Sequence, residues 1–113
     1  MSVKTKRIAS NIVKEISYIL AYEVKDKDIK FVTVTDCKLT TDLSFAKVYV
    51  TVFDREKKET TLKSLNEAAG FIRKQLAERI DIRHIPELEF VYDESIEYGK
   101  KIENIIEQIN KEN

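Results

Sequence analysis

Between residues 4 and 24, apolar side chains return every three or four positions: Ile8, Ile12, Ile16, Ile19, Leu20 and Val24, with Ala9 and Val13 beside them. Stepping by about 100° per residue, they fill one arc of an amphipathic helix. Its opposite face carries Arg7, Lys14, Tyr18 and Lys25 in a stripe. The period then falls to two. Over residues 30–38, Val32 and Val34 alternate with Phe31, Thr33 and Thr35. Over residues 45–53, Val48, Val50 and Val52 alternate with Lys47, Tyr49 and Thr51. Thr40-Thr41-Asp42 between them is turn chemistry, so the two runs predict an antiparallel hairpin with one buried face.

Helical spacing resumes over residues 60–80, with Thr60 or Thr61 as candidate N-cap. Leu62, Leu65, Ala69, Ile72, Leu76 and Ile80 form the stripe. Phe71 lies opposite it in a straight helix. Ala68-Ala69-Gly70 precedes it, small residues that let a helix bend or another backbone approach. The expectation is helix–kink–helix, with the kink turning Phe71 inward and with stability lost if Gly70 becomes Val. Pro86 opens a third strand over residues 87–92, with Leu88, Phe90 and Tyr92 on one face. Asp93 or Ser95 caps a final helix, about residues 95–110, whose apolar positions are Ile102, Ile105, Ile106 and Ile109. The order is α-β-β-α-kink-α-β-α. It predicts one α+β domain over residues 1–113, with a three-stranded sheet covered by helices on one face.

Charge changes this picture. Lys plus Arg number 20, as do Asp plus Glu, so the chain is neutral, yet the distribution is uneven. Residues 1–14 hold Lys4, Lys6, Arg7 and Lys14 and no acid. Residues 55–85 are net +3 and residues 86–113 net −5. A basic head and middle with an acidic tail suggest a polyanion partner for one face, against the plainer reading of well-charged helix surfaces. One Cys (Cys37) and one His (His84) exclude an internal disulfide and zinc ribbons, so no metal is expected. Two glycines exclude a P-loop or dinucleotide fingerprint, and no cofactor is expected. No apolar run approaches the ~18 residues of a membrane span, and the basic start does not read as a signal peptide. A soluble cytoplasmic protein follows as the expectation. Cys37 has no evident base beside it and reads as a small buried hydrophobe. Asp93, Glu94 and Glu97 read as acids at a helix start, favoured by the macrodipole. No nucleophile–base pair is visible, so the chain is not expected to be an enzyme.

Several stretches together resemble the ribosome-binding factor A family. They are Arg7-Ile8-Ala9 through Ile16-Ser17, Val32-Thr33-Val34-Thr35, and Asp42-Leu43-Ser44-Phe45-Ala46-Lys47-Val48-Tyr49-Val50. More specific are Leu65-Asn66-Glu67-Ala68-Ala69-Gly70-Phe71-Ile72-Arg73, then Arg83-His84-Ile85-Pro86-Glu87-Leu88-Glu89-Phe90 and Asp93-Glu94-Ser95-Ile96. The resemblance implies a type II KH-like fold in which an Ala-x-Gly kink, here Ala68-Ala69-Gly70, replaces the GxxG loop. It also implies a non-catalytic ribosome assembly factor that binds the small (30S) ribosomal subunit and its rRNA. Such a factor assists late maturation and processing of that rRNA, particularly in the cold. Phosphate binding would then fall to Lys4, Lys6, Arg7 and Lys14 on the first helix. It would fall also to Arg73, Lys74 and Arg79 beyond the kink and to Arg83 and His84 further on, with Ala68, Ala69 and Gly70 admitting the sugar-phosphate backbone. Tyr18 is a candidate for base stacking. Each cation equally fits a solvated helix face, Arg73, Lys74 and Arg79 pairing with Glu78 or Asp81. In such folds the first helix and the kinked helices share a side of the sheet, which would unite these groups. The alternative use of the same basic face is protein–protein contact with an acidic partner. A monomer is expected in solution.

Overall fold

The computed structural model describes residues 3–29 and 31–95. Helix α1 (Val3–Tyr22) is followed by a 3₁₀ turn (Lys27–Ile29), strand β1 (Val32–Leu39) and strand β2 (Phe45–Val52). A second 3₁₀ turn (Arg55–Lys57) leads into helices α2 (Lys58–Glu67) and α3 (Ala69–Arg79), and strand β3 is Glu87–Tyr92. The sheet order is β1-β2-β3, with β1 antiparallel and β3 parallel to β2. Parallel strands need a crossover, and α2 and α3 supply it. The α+β, KH-like expectation therefore holds. The expected final helix, with Ile102, Ile105, Ile106, Ile109 and Glu97, lies outside the described residues, as does Lys30.

Ile12, Ile16 and Ile19 of α1 are buried against Val48 and Val50 of β2 and against Leu65, Ile72, Leu76 and Phe90. The period-two reading holds through β2, where Ala46, Val48, Val50 and Val52 all face in. It fails in β1. The register slips between Val34 and Asp36, so the inward residues are Val34, Cys37 and Leu39. This bulge leaves Thr35 unpaired in the ladder. Its hydroxyl instead donates to Asp93 Oδ2 at 2.6 Å, linking β1 to the residue after β3. In the hairpin turn, Asp42 Oδ1 accepts from Ser44 N at 3.1 Å and from Thr40 Oγ1 at 2.8 Å.

Three expectations about the crossover need correction. Helix α2 starts at Lys58, and Thr61 is a buried residue inside it, not a cap. Asp54 caps the preceding 3₁₀ turn instead, accepting from Glu56 N. The helix does break, but at Ala68 (φ −86°, ψ 0°), and α3 begins at Ala69. Leu65, Ile72 and Leu76 keep one phase across this gentle break. Phe71 therefore stays outside, 46% exposed, and Ile72 takes the core position. Gly70 has no positive φ, and a Cβ built there meets nothing within 4 Å. The backbone does not require a glycine at this position.

Candidate nucleic-acid interface

All three helices cover the same face of the sheet, which places the basic positions of α1 and α3 on one side. Lys4, Lys6, Arg7 and Lys14 are exposed on α1, and each is without an ion pair among the described residues. The helix buries Ala9, Ile12 and Ile16 beneath them, so the apolar stripe that holds α1 down also turns these cations outward.

The cations of α3 are arranged differently. Arg73 reaches back to the segment before β3: its Nη2 donates to Ile85 O at 2.8 Å and its Nε contacts Ile85 O and Pro86 O at 3.2 Å. It thereby fixes the loop that carries Arg83 and His84, both exposed. Arg79 lies over the Tyr18 ring, 4.4 Å from its centroid, and pairs with Glu15 (3.5 Å) and with Glu23. Tyr18 also contacts Tyr22, with ring centroids 4.8 Å apart. Arg79 is thus a clamp between α3 and α1, and Tyr18 is part of it. Lys74 alone of the three is exposed without a described partner.

The kink residues stand elsewhere. Ala68 and Phe71 line a shallow hollow with Val24, Lys25 and Lys27, at the C-terminal end of α1. From Arg7 to Tyr22 the helix axis runs about 22 Å at 1.5 Å per residue. The candidate residues therefore fall into two areas, an α1 head and a kink region, with Lys14 between them. Sequence reasoning missed Lys25 and Lys27 as neighbours of the kink, because only the turn after α1 brings them there.

Two other groups escaped the sequence reading. Asn66, in α2, donates from Nδ2 to Phe90 O at 3.0 Å and accepts from Phe90 N at 2.8 Å. β3 is an edge strand, and this amide pairs with its outer backbone groups as a neighbouring strand would. Asp93 accepts from Ser95 and Thr35, and these hydrogen bonds hold its carboxyl below the usual carboxylate range. The final helix that Asp93 was expected to start lies outside the described residues. Cys37 is 2% exposed. Burial, with the nearby Asp36 charge, pushes its thiol up to about 12, which suits a packed hydrophobe and not a nucleophile. Among the described residues no three of His, Cys, Asp and Glu stand together as metal ligands would. No helix among them is long and apolar enough to cross a membrane.

A family model described as ribosome-binding factor A matches residues 4–106. A Macrococcus caseolyticus protein named ribosome-binding factor A is 44% identical over 113 residues, with 99% of each chain covered. A Staphylococcus epidermidis protein of the same name is 46% identical over 111 residues, covering 97% of this chain and 96% of that one. The crystal structure of ribosome-binding factor A from Thermus thermophilus superposes with a TM-score of 0.68 at 29% identity, covering 78% of this chain and 94% of that one.

Proposed function

Since the chain belongs to the ribosome-binding factor A family, we propose that it binds the small ribosomal subunit through its rRNA and assists late maturation and processing of that RNA, most of all in the cold. The observation that carries this reading is the row of exposed cations on α1, Lys4, Lys6, Arg7 and Lys14, which no described carboxylate neutralises. Affinity for RNA arises largely from such groups as they displace counterions from phosphates. The action is positional. The rigid α1–α3 pair, locked by Arg79, holds an rRNA segment in one arrangement until release, with no bond made or broken by the protein, which acts in the cytoplasm as a monomer.

Co-sedimentation with isolated subunits across a salt series tests this. Stoichiometric binding to small subunits, absent from large ones and falling steeply as salt rises, is expected. Salt-insensitive binding would favour an adaptor that meets a protein. A strain lacking the protein should accumulate unprocessed small-subunit rRNA, and more of it at low temperature.

A further inference from the structure

The helices cover one face of the sheet, and among the described residues no helix lies on the other. Alternation sets what that open face shows. Val48 and Val50 point inward, so Lys47 and Tyr49 point out. Phe90 points inward, so Glu89 and Val91 point out. The β1 bulge puts Asp36 and Lys38 on the same side. Register then arranges these residues in two rows across the strands: Asp36, Tyr49 and Val91 in one, Lys38, Lys47 and Glu89 in the next. Tyr49 and Val91 thus stand side by side as a half-buried apolar pair, with Lys38 Nζ 5.4 Å from the Tyr49 ring centroid.

Charge and the course of the chain decide what covers this pair. The two lysines are matched by Asp36 and Glu89, and Asp93 and Glu94 stand at the margin, so a polyanion gains little here. The hollow over Tyr49 and Val91 is also lined by Asp93, Glu94 and Ser95. The chain therefore leaves β3 at the rim of the hollow itself, and the Thr35–Asp93 hydrogen bond (2.6 Å) pins the exit. Residues 96–113 follow. In the helix expected there, Ile102, Ile105, Ile106 and Ile109 share one arc of about 100°, an apolar stripe that needs cover. Gly99, just ahead of it, suits a reversal of the chain. As a helix, residues 100–110 run about 16 Å, within the length of about 20 Å that β3 spans. The tether gives the segment an effective concentration on the order of millimolar at this face, which a free partner must exceed.

We propose that residues 100–110 fold back as a helix onto the open face of the sheet, seating Ile102, Ile105, Ile106 and Ile109 over the Tyr49–Val91 pair. The occupant is this chain's own C-terminal segment, and the domain becomes a sheet covered on both faces.

The test uses the full chain, isotope-labelled, with a nitroxide on Asn104→Cys, a position on the side of that helix away from the stripe. Cys37 is buried and stays unlabelled. Amide intensities are read before and after the nitroxide is reduced. The Tyr49 and Val91 amides should lose most of their intensity, and those of Ile12 and Ile16, across the sheet, should lose less. Adding Ile105→Ser with Ile106→Ser should restore the lost intensity. The chain with its stripe intact gives the decisive reading: no broadening at Tyr49 and Val91 would overturn the proposal. Equal broadening in the double serine variant would overturn it as well. So would broadening carried between chains, seen when nitroxide-labelled chain without isotope is mixed with isotope-labelled chain without nitroxide, which would give the stripe to a second copy. Neither RNA nor the subunit enters the measurement, so its outcome is independent of the rRNA-binding reading.

Discussion

Helices α1 and α3 are alike in sequence as carriers of positive charge, and the structure uses them in opposite ways. On α1, Lys4, Lys6, Arg7 and Lys14 point away from the domain with no described partner. On α3, Arg73 spends its guanidinium on two backbone carbonyls and Arg79 spends its own on Glu15, Glu23 and Tyr18. A cation count therefore does not measure a binding surface. What decides is whether the fold places an acceptor opposite each group. On α3 the planar fork of arginine is taken up by acceptors within the fold, whereas Arg7 on α1 and Arg83 before β3 are left at the surface as the lysines are.

The largest effect should come from the free set. Lys4→Glu, Arg7→Glu and Lys14→Glu together should reduce small-subunit affinity on the order of a hundredfold and flatten its salt slope by about three units. Thermal stability should stay within about 0.5 kcal/mol, as for surface changes generally. Unchanged sedimentation with the subunit would break the contrast at its stronger end.

Arg73→Ala should do the reverse. Ile85 and Pro86 lose a charged donor, and stability should fall by about 1–3 kcal/mol in denaturant melts, with the salt slope of subunit binding little altered. A lowered salt slope at undiminished stability would return Arg73 to the interface. Arg79→Lys is a finer probe. Lysine keeps the charge but cannot span Glu15 and Glu23 while lying over Tyr18, so a loss of about 1 kcal/mol is expected. Full retention of stability would mean that the clamp is only an ion pair.

The sequence was most legible where period and burial coincide. The α1 stripe, the inward valines of β2 and the boundaries of β3 follow directly from spacing. The β1 bulge was illegible, because a single extra residue between Val34 and Asp36 leaves no mark in composition yet reverses every later side chain. The kink was visible in Ala68-Ala69-Gly70, but its consequence for Phe71 was not. The sequence marks small residues, whereas the phase that Leu65 and Ile72 keep across the break depends on one pair of dihedral angles at Ala68. Of the candidate site, the cations of α1 were readable as exposed. The engagement of Arg73 and Arg79 was not, since their partners are 12, 13, 56 and 64 positions away. Asn66 was hidden for the same reason: a polar residue on a helix looks solvated until β3, 24 positions later, presents its backbone.

The smallest effect bears on the kink itself, where neither helix supplies a cation. Gly70 is helical and exposed, with open space where a Cβ would sit. Alanine there should stabilise the domain by about 0.5–1 kcal/mol through helix propensity and a less free unfolded chain. Valine gains less, because of β-branching, although its Cβ likewise meets nothing within 4 Å. If a sugar-phosphate backbone passes close to this turn, the same methyl group stands in its way, and subunit affinity should fall a few-fold while the melting temperature rises. Opposite signs in one variant separate a glycine kept for contact from one kept for folding. A thermal melt paired with the sedimentation assay reads both at once. A rise in stability with affinity unchanged would leave RNA binding to the cations of α1 and take the kink out of the interface.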